Sequence, residues 1–227
     1  MTNAAMERLC FIGRMEYIAI LARLLVLLAC LAQTTSASCV VDSFPVKQDF
    51  DARRYSGMWY GLQKRDPEGF FLQDNISANY TIDDDGAMTA HTKGRVTLFG
   101  FWVVCADMAA QYTAPDPSTP GKMFMTYQGL ASYLSSGGDN YWVIDTDYDN
   151  YAITYACRVL KEDGTCDDGY AVVFSRNRRG LPPAFQRLIR RRQEEICWAG
   201  QFQPVLQSGE QYHTGHSQKG RLPHSQP

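Results

Sequence analysis

Residues 75–98 read NISANYTIDDDGAMTAHTKGRVTL, two runs of strand-forming residues joined by four turn residues. In the first run Ile76, Tyr80 and Ile82 share one parity, and the polar residues share the other. Because successive side chains of a strand point to opposite faces, this run predicts a sheet with one apolar and one polar face. The segment DDDG at 83–86 predicts a hairpin turn between the two strands rather than a metal site.

Further strand-like runs flank this hairpin on both sides. They are residues 57–62, 102–113, 122–130, 141–145, 151–160 and 170–175, which together with the hairpin make eight strands. Turn-forming residues fill the short segments between them, as in PDPSTPG at 115–121. Short connections between strands predict an antiparallel meander.

A meander of this size is expected to close on itself, because closure removes the exposed edges of the sheet. We therefore predict an all-β fold, an eight-stranded antiparallel up-and-down β-barrel with room for one small ligand. One C-terminal α-helix is predicted to follow it, opened by Leu181-Pro182-Pro183 and running to about Trp198. Its apolar face is expected to pack on the outside of the sheet.

The two ends of the chain differ in composition from the barrel. Residues 18–31 are almost entirely apolar but are fewer than the ~20 that a bilayer span needs, and small polar residues follow them. Residues 1–38 are therefore predicted to be an N-terminal extension and secretory signal peptide of a secreted, extracellular protein that is not an integral membrane protein. Residues 39–207 are predicted to form the barrel with its helix, and residues 208–227 are predicted to be a disordered tail.

Charge and histidine positions disfavour several functions. The 22 Lys and Arg side chains against 24 Asp and Glu give a formal net charge of −2, so no global basic field would hold nucleic acid. Of the 4 histidines only His91 falls in the barrel, so no Ser-His-Asp or Cys-His constellation is expected and an enzyme is disfavoured.

Five cysteines follow the predicted signal peptide: Cys39, Cys105, Cys157, Cys166 and Cys197. Their wide spacing favours structural disulfides in an oxidising compartment over a zinc site, and the odd number leaves one cysteine unpaired. Two sequons make Asn75 and Asn79 candidates for glycosylation.

Three short motifs follow one another along the predicted barrel: Gly57-Met58-Trp59, Thr146-Asp147-Tyr148 and Arg176 after Phe174-Ser175. In their order and separation they resemble the signature motifs of the lipocalins. The resemblance implies structural roles for these residues. Gly57 would bend the chain, Trp59 would close the base of the barrel, and Arg176 would lie on the indole face while donating hydrogen bonds to carbonyl groups.

Longer matches narrow the resemblance to the secreted retinol-binding proteins, over about residues 39–207. They include DPEG at 66–69, CADM at 105–108 and DTDYD at 145–149. FGFW at 99–102 and QGLASYLSSGGDNYW at 128–142 resemble the retina-secreted branch of these proteins.

The resemblance implies that retinol binds inside the barrel without a covalent bond, as a ligand and not a cofactor, with its ring deep and its hydroxyl near the mouth. Positions that match the family's lining are Ala78, Tyr80, Ala90, Val96, Met108, Met125, Tyr127, Tyr170 and Val172. Those around the entrance are Phe70, Phe71, Leu72, Leu134, Ser135 and Tyr141. Small alanines leave volume for a ring, methionines adapt to its outline, and aromatic side chains supply apolar area. Ser135 and Thr92 depart from the family pattern, which has a longer glutamine and a small apolar residue there.

The resemblance also implies the disulfides Cys39–Cys197 and Cys157–Cys166. The family's partner of Cys105 lies near the C terminus, where this chain has Gln211, so Cys105 is expected to be unpaired.

An alternative function is extracellular adhesion or interaction through the helix or the mouth loops. The helix carries Arg187 and Arg190–Arg192, a face that suits heparan sulfate or another glycosaminoglycan, although a solvated face offset by Glu194 and Glu195 is the simpler interpretation. An apolar patch beside the mouth would comprise Phe99, Phe101, Trp102 and Tyr133. Plasma retinol carriers dock transthyretin in this region, so transthyretin is the other candidate partner.

Overall fold

The computed structural model describes Arg23 and residues 38–69, 71–129, 132 and 138–208. The chain divides into two units, Met1–Ala37 and Ser38–Pro227, and all described residues except Arg23 belong to the second. Apart from Arg23, Ser38 and Ser208, the predicted signal peptide and tail lie outside the described residues.

Nine strands and two α-helices make up the described part of the second unit. In chain order they are a 3-10 turn (Val41–Ser43), α1 (Ala52–Tyr55), β1 (Gly57–Arg65), β2 (Asp74–Ile82), β3 (Met88–Leu98), β4 (Trp102–Thr113), β5 (Lys122–Tyr127), β6 (Asp139–Thr146), β7 (Tyr151–Leu160), β8 (Cys166–Ser175), α2 (Ala184–Glu195) and β9 (Gln203–Pro204).

The strands form one antiparallel sheet that closes into a barrel. Their order is β2-β3-β4-β5-β6-β7-β8-β1-β9, and β1 pairs with β2 as well. Closure falls in the first half of β1, where Trp59 stands opposite Ala78 of β2. The predicted eight-stranded up-and-down barrel with a helix after it is therefore confirmed.

Two short elements were not predicted. Strand β9 pairs with Gln63 and Lys64 of β1 outside the eight barrel strands, and its two residues are too few to show a period. Helix α1 has four residues, and the Asp51 carboxylate caps it by accepting hydrogen bonds from the N–H groups of Arg53 (2.9 Å) and Arg54 (3.1 Å).

The hairpin at 75–98 forms as its alternation predicts. β2 and β3 pair as far as Ile82 opposite Met88, and the Gly86 N–H donates to the Asp83 carbonyl at 2.9 Å across the turn. Ile76 and Tyr80 are buried while Asn79 is exposed, so the apolar face of this hairpin is the barrel interior.

Apolar side chains collect in two cores. One fills the barrel, and the other lies between the outer face of β6–β8 and helix α2, where Ile189 and Ile196 pack with Ile153 and Val173. Because α2 covers the outside of β7, residues 151–156 are all buried and show no alternation.

The up-and-down order also gives the barrel two different ends. Helix α1 and the β6–β7 turn lie at the end where β1 begins, which Trp59 fills. The connections β1–β2, β3–β4, β5–β6 and β7–β8 leave and enter their strands at the opposite end, which we call the open end.

Candidate ligand-binding site

The closed end of the barrel is built around Trp59. Its side chain has no exposed surface, and its Nε1 donates to the Tyr55 carbonyl at 2.8 Å. The Arg176 guanidinium lies 3.8 Å from the centroid of the indole ring, as the resemblance implies. It donates hydrogen bonds to the carbonyl oxygens of Tyr148 (2.9 Å), Met58 (2.9 Å), Arg54 (3.1 Å) and Tyr55 (3.2 Å). This one side chain therefore ties α1, β1 and the β6–β7 turn together.

Gly57 is required by that arrangement. Its φ is +91°, a conformation that glycine adopts without strain, and a Cβ atom there would lie 3.3 Å from Nη1 of Arg176. The glycine lets β1 begin directly beneath the guanidinium.

The β6–β7 turn is held by side chains of the second motif. Thr146 Oγ1 donates to the Tyr151 carbonyl at 2.7 Å and accepts from the Tyr148 N–H at 2.9 Å. The Asp147 carboxylate accepts from the N–H groups of Asn150 (2.8 Å) and Tyr151 (3.0 Å). Partial burial raises the pKa of Asp147, but these hydrogen bonds outweigh it and hold the pKa below its ordinary value.

A cavity lies inside the barrel. Its lining residues are Phe71, Leu72, Ile76, Tyr80, Thr92, Met108, Ala110, Tyr112, Met125, Tyr127, Tyr141, Thr154, Tyr170, Val172 and Phe174. Aromatic and aliphatic side chains predominate, and the polar groups are hydroxyls. This chemistry suits a small apolar ligand with few polar atoms.

The cavity between the described side chains is small. Its volume is about 60 Å³, compared with roughly 300–1,000 Å³ for typical small-molecule sites. A ligand of that size therefore requires side chains in the barrel to change rotamer. Met108 and Met125 are suited to this because their unbranched chains adapt, and Phe71, which packs on Tyr170 with ring centroids 5.0 Å apart, is only half-buried.

Most of the expected ligand-contacting residues surround this cavity. Tyr80, Met108, Met125, Tyr127, Tyr170 and Val172 line it, as do Phe71, Leu72 and Tyr141. Ala78 and Ala90 are buried and Val96 is half-buried in the same core, but these three do not line the cavity. Phe70, Leu134 and Ser135 lie outside the described residues.

Tyr141 lies deeper than the entrance position that the resemblance implies. Its hydroxyl is 3.2 Å from that of Tyr55 and 2.6 Å from that of Tyr80, and both partners belong to the closed end. The reason is the start of β6, which begins at Asp139 rather than at 141, so Tyr141 is already inside the strand.

Thr92 lines the cavity at the position where the family has a small apolar residue, and five further lining residues were not expected: Ile76, Ala110, Tyr112, Thr154 and Phe174. Parity within a strand could have found several of them, since Ala110 and Tyr112 share the parity of Met108, and Phe174 shares that of Tyr170. Thr154 carries no such signal, because β7 is buried on both faces.

The tyrosines at the closed end are neutral hydrogen-bonding groups. Burial disfavours the phenolate and raises the pKa of Tyr55, Tyr80, Tyr112 and Tyr141 well above the ordinary value. Their hydroxyls therefore keep their protons throughout the physiological pH range.

One charged side chain reaches the core near the open end. Lys64 is only 4% exposed, and its Nζ lies 2.6 Å and 2.7 Å from the two carboxylate oxygens of Asp66 and 2.8 Å from the Leu72 carbonyl. Because a buried ammonium is costly unless it is paired, these contacts hold Asp66 and Leu72 beside Lys64 near the open end.

Both disulfides implied by the resemblance are present. Cys39 is bonded to Cys197, next to α2, and Cys157 is bonded to Cys166 across the β7–β8 connection. Cys105 is a free thiol with an exposed side chain on β4. In the described part of the chain, no three His, Cys, Asp or Glu side chains are grouped so that they could hold a metal ion.

The comparisons with known proteins agree with this architecture. Residues 56–197 match the model of the lipocalin / cytosolic fatty-acid binding protein family. The chain belongs to the lipocalin family. This lipocalin is 76% identical to purpurin from Gallus gallus over 179 residues, which cover 79% of this chain and 89% of that protein. It is 52% identical to retinol-binding protein 4 from Gallus gallus over 171 residues, covering 75% and 86% of the two chains.

A solved structure shows the same fold at low identity. Insecticyanin from the tobacco hornworm Manduca sexta superposes on this lipocalin with a TM-score of 0.55 and 23% identity, over 73% of this chain and 85% of that one. On its family and relatives, this lipocalin is a binding protein and not an enzyme. None of its described helices has the length and apolar character needed to cross a membrane.

Proposed function

We propose that this lipocalin is an extracellular carrier that binds all-trans-retinol (vitamin A) non-covalently inside its barrel and transports it between cells, in the retina. The observation that carries the proposal is the apolar cavity within the barrel, lined by the positions that the retinol-binding resemblance selects. The relatives support it, since one of them is named for retinol binding and is 52% identical. The retinal site of action rests on the similarity to the retina-secreted branch.

The energetics allow such a ligand. Transfer of ~400 Å² of polyene surface from water at ~25 cal/mol/Å² yields roughly 10 kcal/mol before the costs of association. Rotamer changes of the methionines and Phe71 subtract from this gain, so micromolar to nanomolar binding is expected. Two disulfides and the exposed Asn79 of a sequon support the extracellular location.

A protein partner at the mouth is supported by the exposed side chains there. Phe99, Phe101, Trp102 and Val103 at the tip of the β3–β4 hairpin are 73%, 80%, 58% and 53% exposed. This patch suits docking of a protein, of which transthyretin is the candidate that the resemblance implies. Tyr133, the fourth residue expected in the patch, lies outside the described residues.

The helix supports a glycosaminoglycan partner less well. Arg191 pairs with Glu195 at 3.0 Å, and Arg192 pairs with Asp145 at 2.8 Å and with Glu195 at 2.6 Å. Two of the four arginines on the helix are therefore neutralised within the chain, which leaves Arg187 and Arg190 to attract heparan sulfate.

A fluorescence titration with retinol tests the proposal. Energy transfer from Trp59, Trp102 or Trp142 to the bound polyene is expected to saturate near one ligand per chain. Ala110→Phe places a ring in the cavity wall and is expected to abolish saturation, whereas Val103→Phe, on the exposed face of the same strand, is expected to leave it intact. Absence of saturation in the unmodified protein would contradict a retinol carrier.

A further inference from the structure

Four tyrosines cluster inside the barrel toward its closed end, and three of them line the cavity. Tyr55, Tyr80, Tyr112 and Tyr141 are 0%, 2%, 4% and 4% exposed. Their rings are in contact, with centroids 5.0 Å apart for Tyr55 and Tyr80, 5.5 Å for Tyr80 and Tyr112, and 4.9 Å for Tyr112 and Tyr141. Tyr80, Tyr112 and Tyr141 line the cavity itself. A purely hydrocarbon ligand could not form hydrogen bonds with these hydroxyls.

The hydroxyls of this cluster have more protons than the hydrogen bonds between them use. Only two contacts within it have hydrogen-bond geometry, Tyr55 Oη to Tyr141 Oη and Tyr141 Oη to Tyr80 Oη. Each hydroxyl carries one proton and each hydrogen bond uses one, so two of the four protons remain. Among the residues that the structure describes, no carbonyl or carboxylate oxygen is a hydrogen-bond partner of these hydroxyls. A buried O–H group without an acceptor is unfavourable, and an acceptor on a ligand would relieve it.

We propose that the tyrosine cluster is a polar subsite for a carbonyl oxygen on the deep end of the ligand, so that the protein prefers a retinoid with a ketone on its ring. This inference rests on the proposed function, in which the ring of the retinoid lies deep. A ketone fits better than a hydroxyl because its oxygen has two lone pairs and brings no further proton. The ring of all-trans-retinol is hydrocarbon and would form no hydrogen bond with the cluster.

The test compares the dissociation constants of 4-oxoretinol and all-trans-retinol. The unmodified protein is expected to bind 4-oxoretinol about 2- to 10-fold more tightly, the range of one net hydrogen bond. The triple variant Tyr80→Phe/Tyr112→Phe/Tyr141→Phe is expected to bind both retinoids with equal dissociation constants. If the triple variant does not fold, the three single variants replace it, and at least one of them must lower the preference.

A tyrosine outside the cavity serves as the control. The Tyr155 hydroxyl is also buried without a hydrogen-bond partner, but Tyr155 belongs to the core between the barrel and α2 and does not line the cavity. Tyr155→Phe is therefore expected to keep the full preference for 4-oxoretinol.

Three results would contradict the subsite but not the proposed carrier function: equal affinities for the two retinoids in the unmodified protein, a preference that survives in the triple variant or in all three single variants, or a preference lost in Tyr155→Phe. If neither retinoid binds the unmodified protein, the proposed function fails and the subsite fails with it.

Discussion

The guanidinium of Arg176 closes the base of the barrel by contacts to backbone oxygens and to one indole ring. Its role, with those of Gly57 and Trp59, could be predicted from three short motifs, because their order and spacing are specific. The hydroxyl contacts of Tyr141 could not, since a strand pattern indicates which face a residue occupies but not which residues meet across a barrel. The sequence pattern therefore predicts which residues belong to the site better than it predicts how far each lies from the open end of the barrel.

Alanine substitutions at two glycines distinguish the cost of backbone strain from the cost of losing space for Arg176. Gly57 and Gly69 both have positive φ, +91° and +87°, but a Cβ at Gly69 would meet nothing within 4 Å. Alanine at either position bears a conformational cost of about 1–2 kcal/mol. Gly57→Ala must also displace the guanidinium, so we expect it to lower the free energy of unfolding by at least about 1 kcal/mol more than Gly69→Ala in urea denaturation. Equal losses would show that the contact is unimportant.

Among the elements, the β6–β7 turn depends on an ionised Asp147. Because its pKa is lowered by folding, Asp147 stabilises the protein fully above the ordinary aspartate pKa of 3.8, and this stabilisation is lost as pH falls through the lower folded value. Asp147→Asn is therefore expected to be less stable than the unmodified protein at pH 7. The difference in the free energy of unfolding between the two proteins is expected to stay constant down to about pH 5 and to become smaller below about pH 4.

Urea denaturation across this pH range measures the difference. Asp84→Asn, in the exposed hairpin turn between β2 and β3, is the control and is expected to change stability little at any pH. A difference for Asp147→Asn that became larger in acid would contradict the role of its carboxylate.

The two disulfides differ in the length of chain that they close. Cys39 and Cys197 are 158 residues apart, whereas Cys157 and Cys166 are 9 apart. Loop entropy of the unfolded chain predicts losses of about 5 kcal/mol for Cys39→Ser/Cys197→Ser and about 2.5 kcal/mol for Cys157→Ser/Cys166→Ser. Denaturation midpoints and slopes of the two double variants measure these losses, and a larger loss for the short loop would contradict the prediction.

For the whole molecule, the sequence predicts the barrel well and its interior less well. Alternation in residues 75–82 and turn residues between the strands suffice for an up-and-down barrel, because each hairpin is a local structure. The small volume of the described cavity, about 60 Å³, could not be predicted, since it depends on the rotamers that Phe71, the methionines and the tyrosines adopt together. The position of Thr154 in the cavity wall could not be predicted either. β7 is buried on both faces, and the helix that covers its outer face lies far along the chain.

A crystal structure of the protein grown with all-trans-retinol tests most directly whether the barrel binds a retinoid in its interior. We expect one retinol inside the barrel, its ring toward Tyr80 and Tyr112 and its hydroxyl toward the open end, with Phe71 or the methionines in new rotamers. Retinol bound only outside the barrel, with the interior side chains as they stand here, would contradict the account.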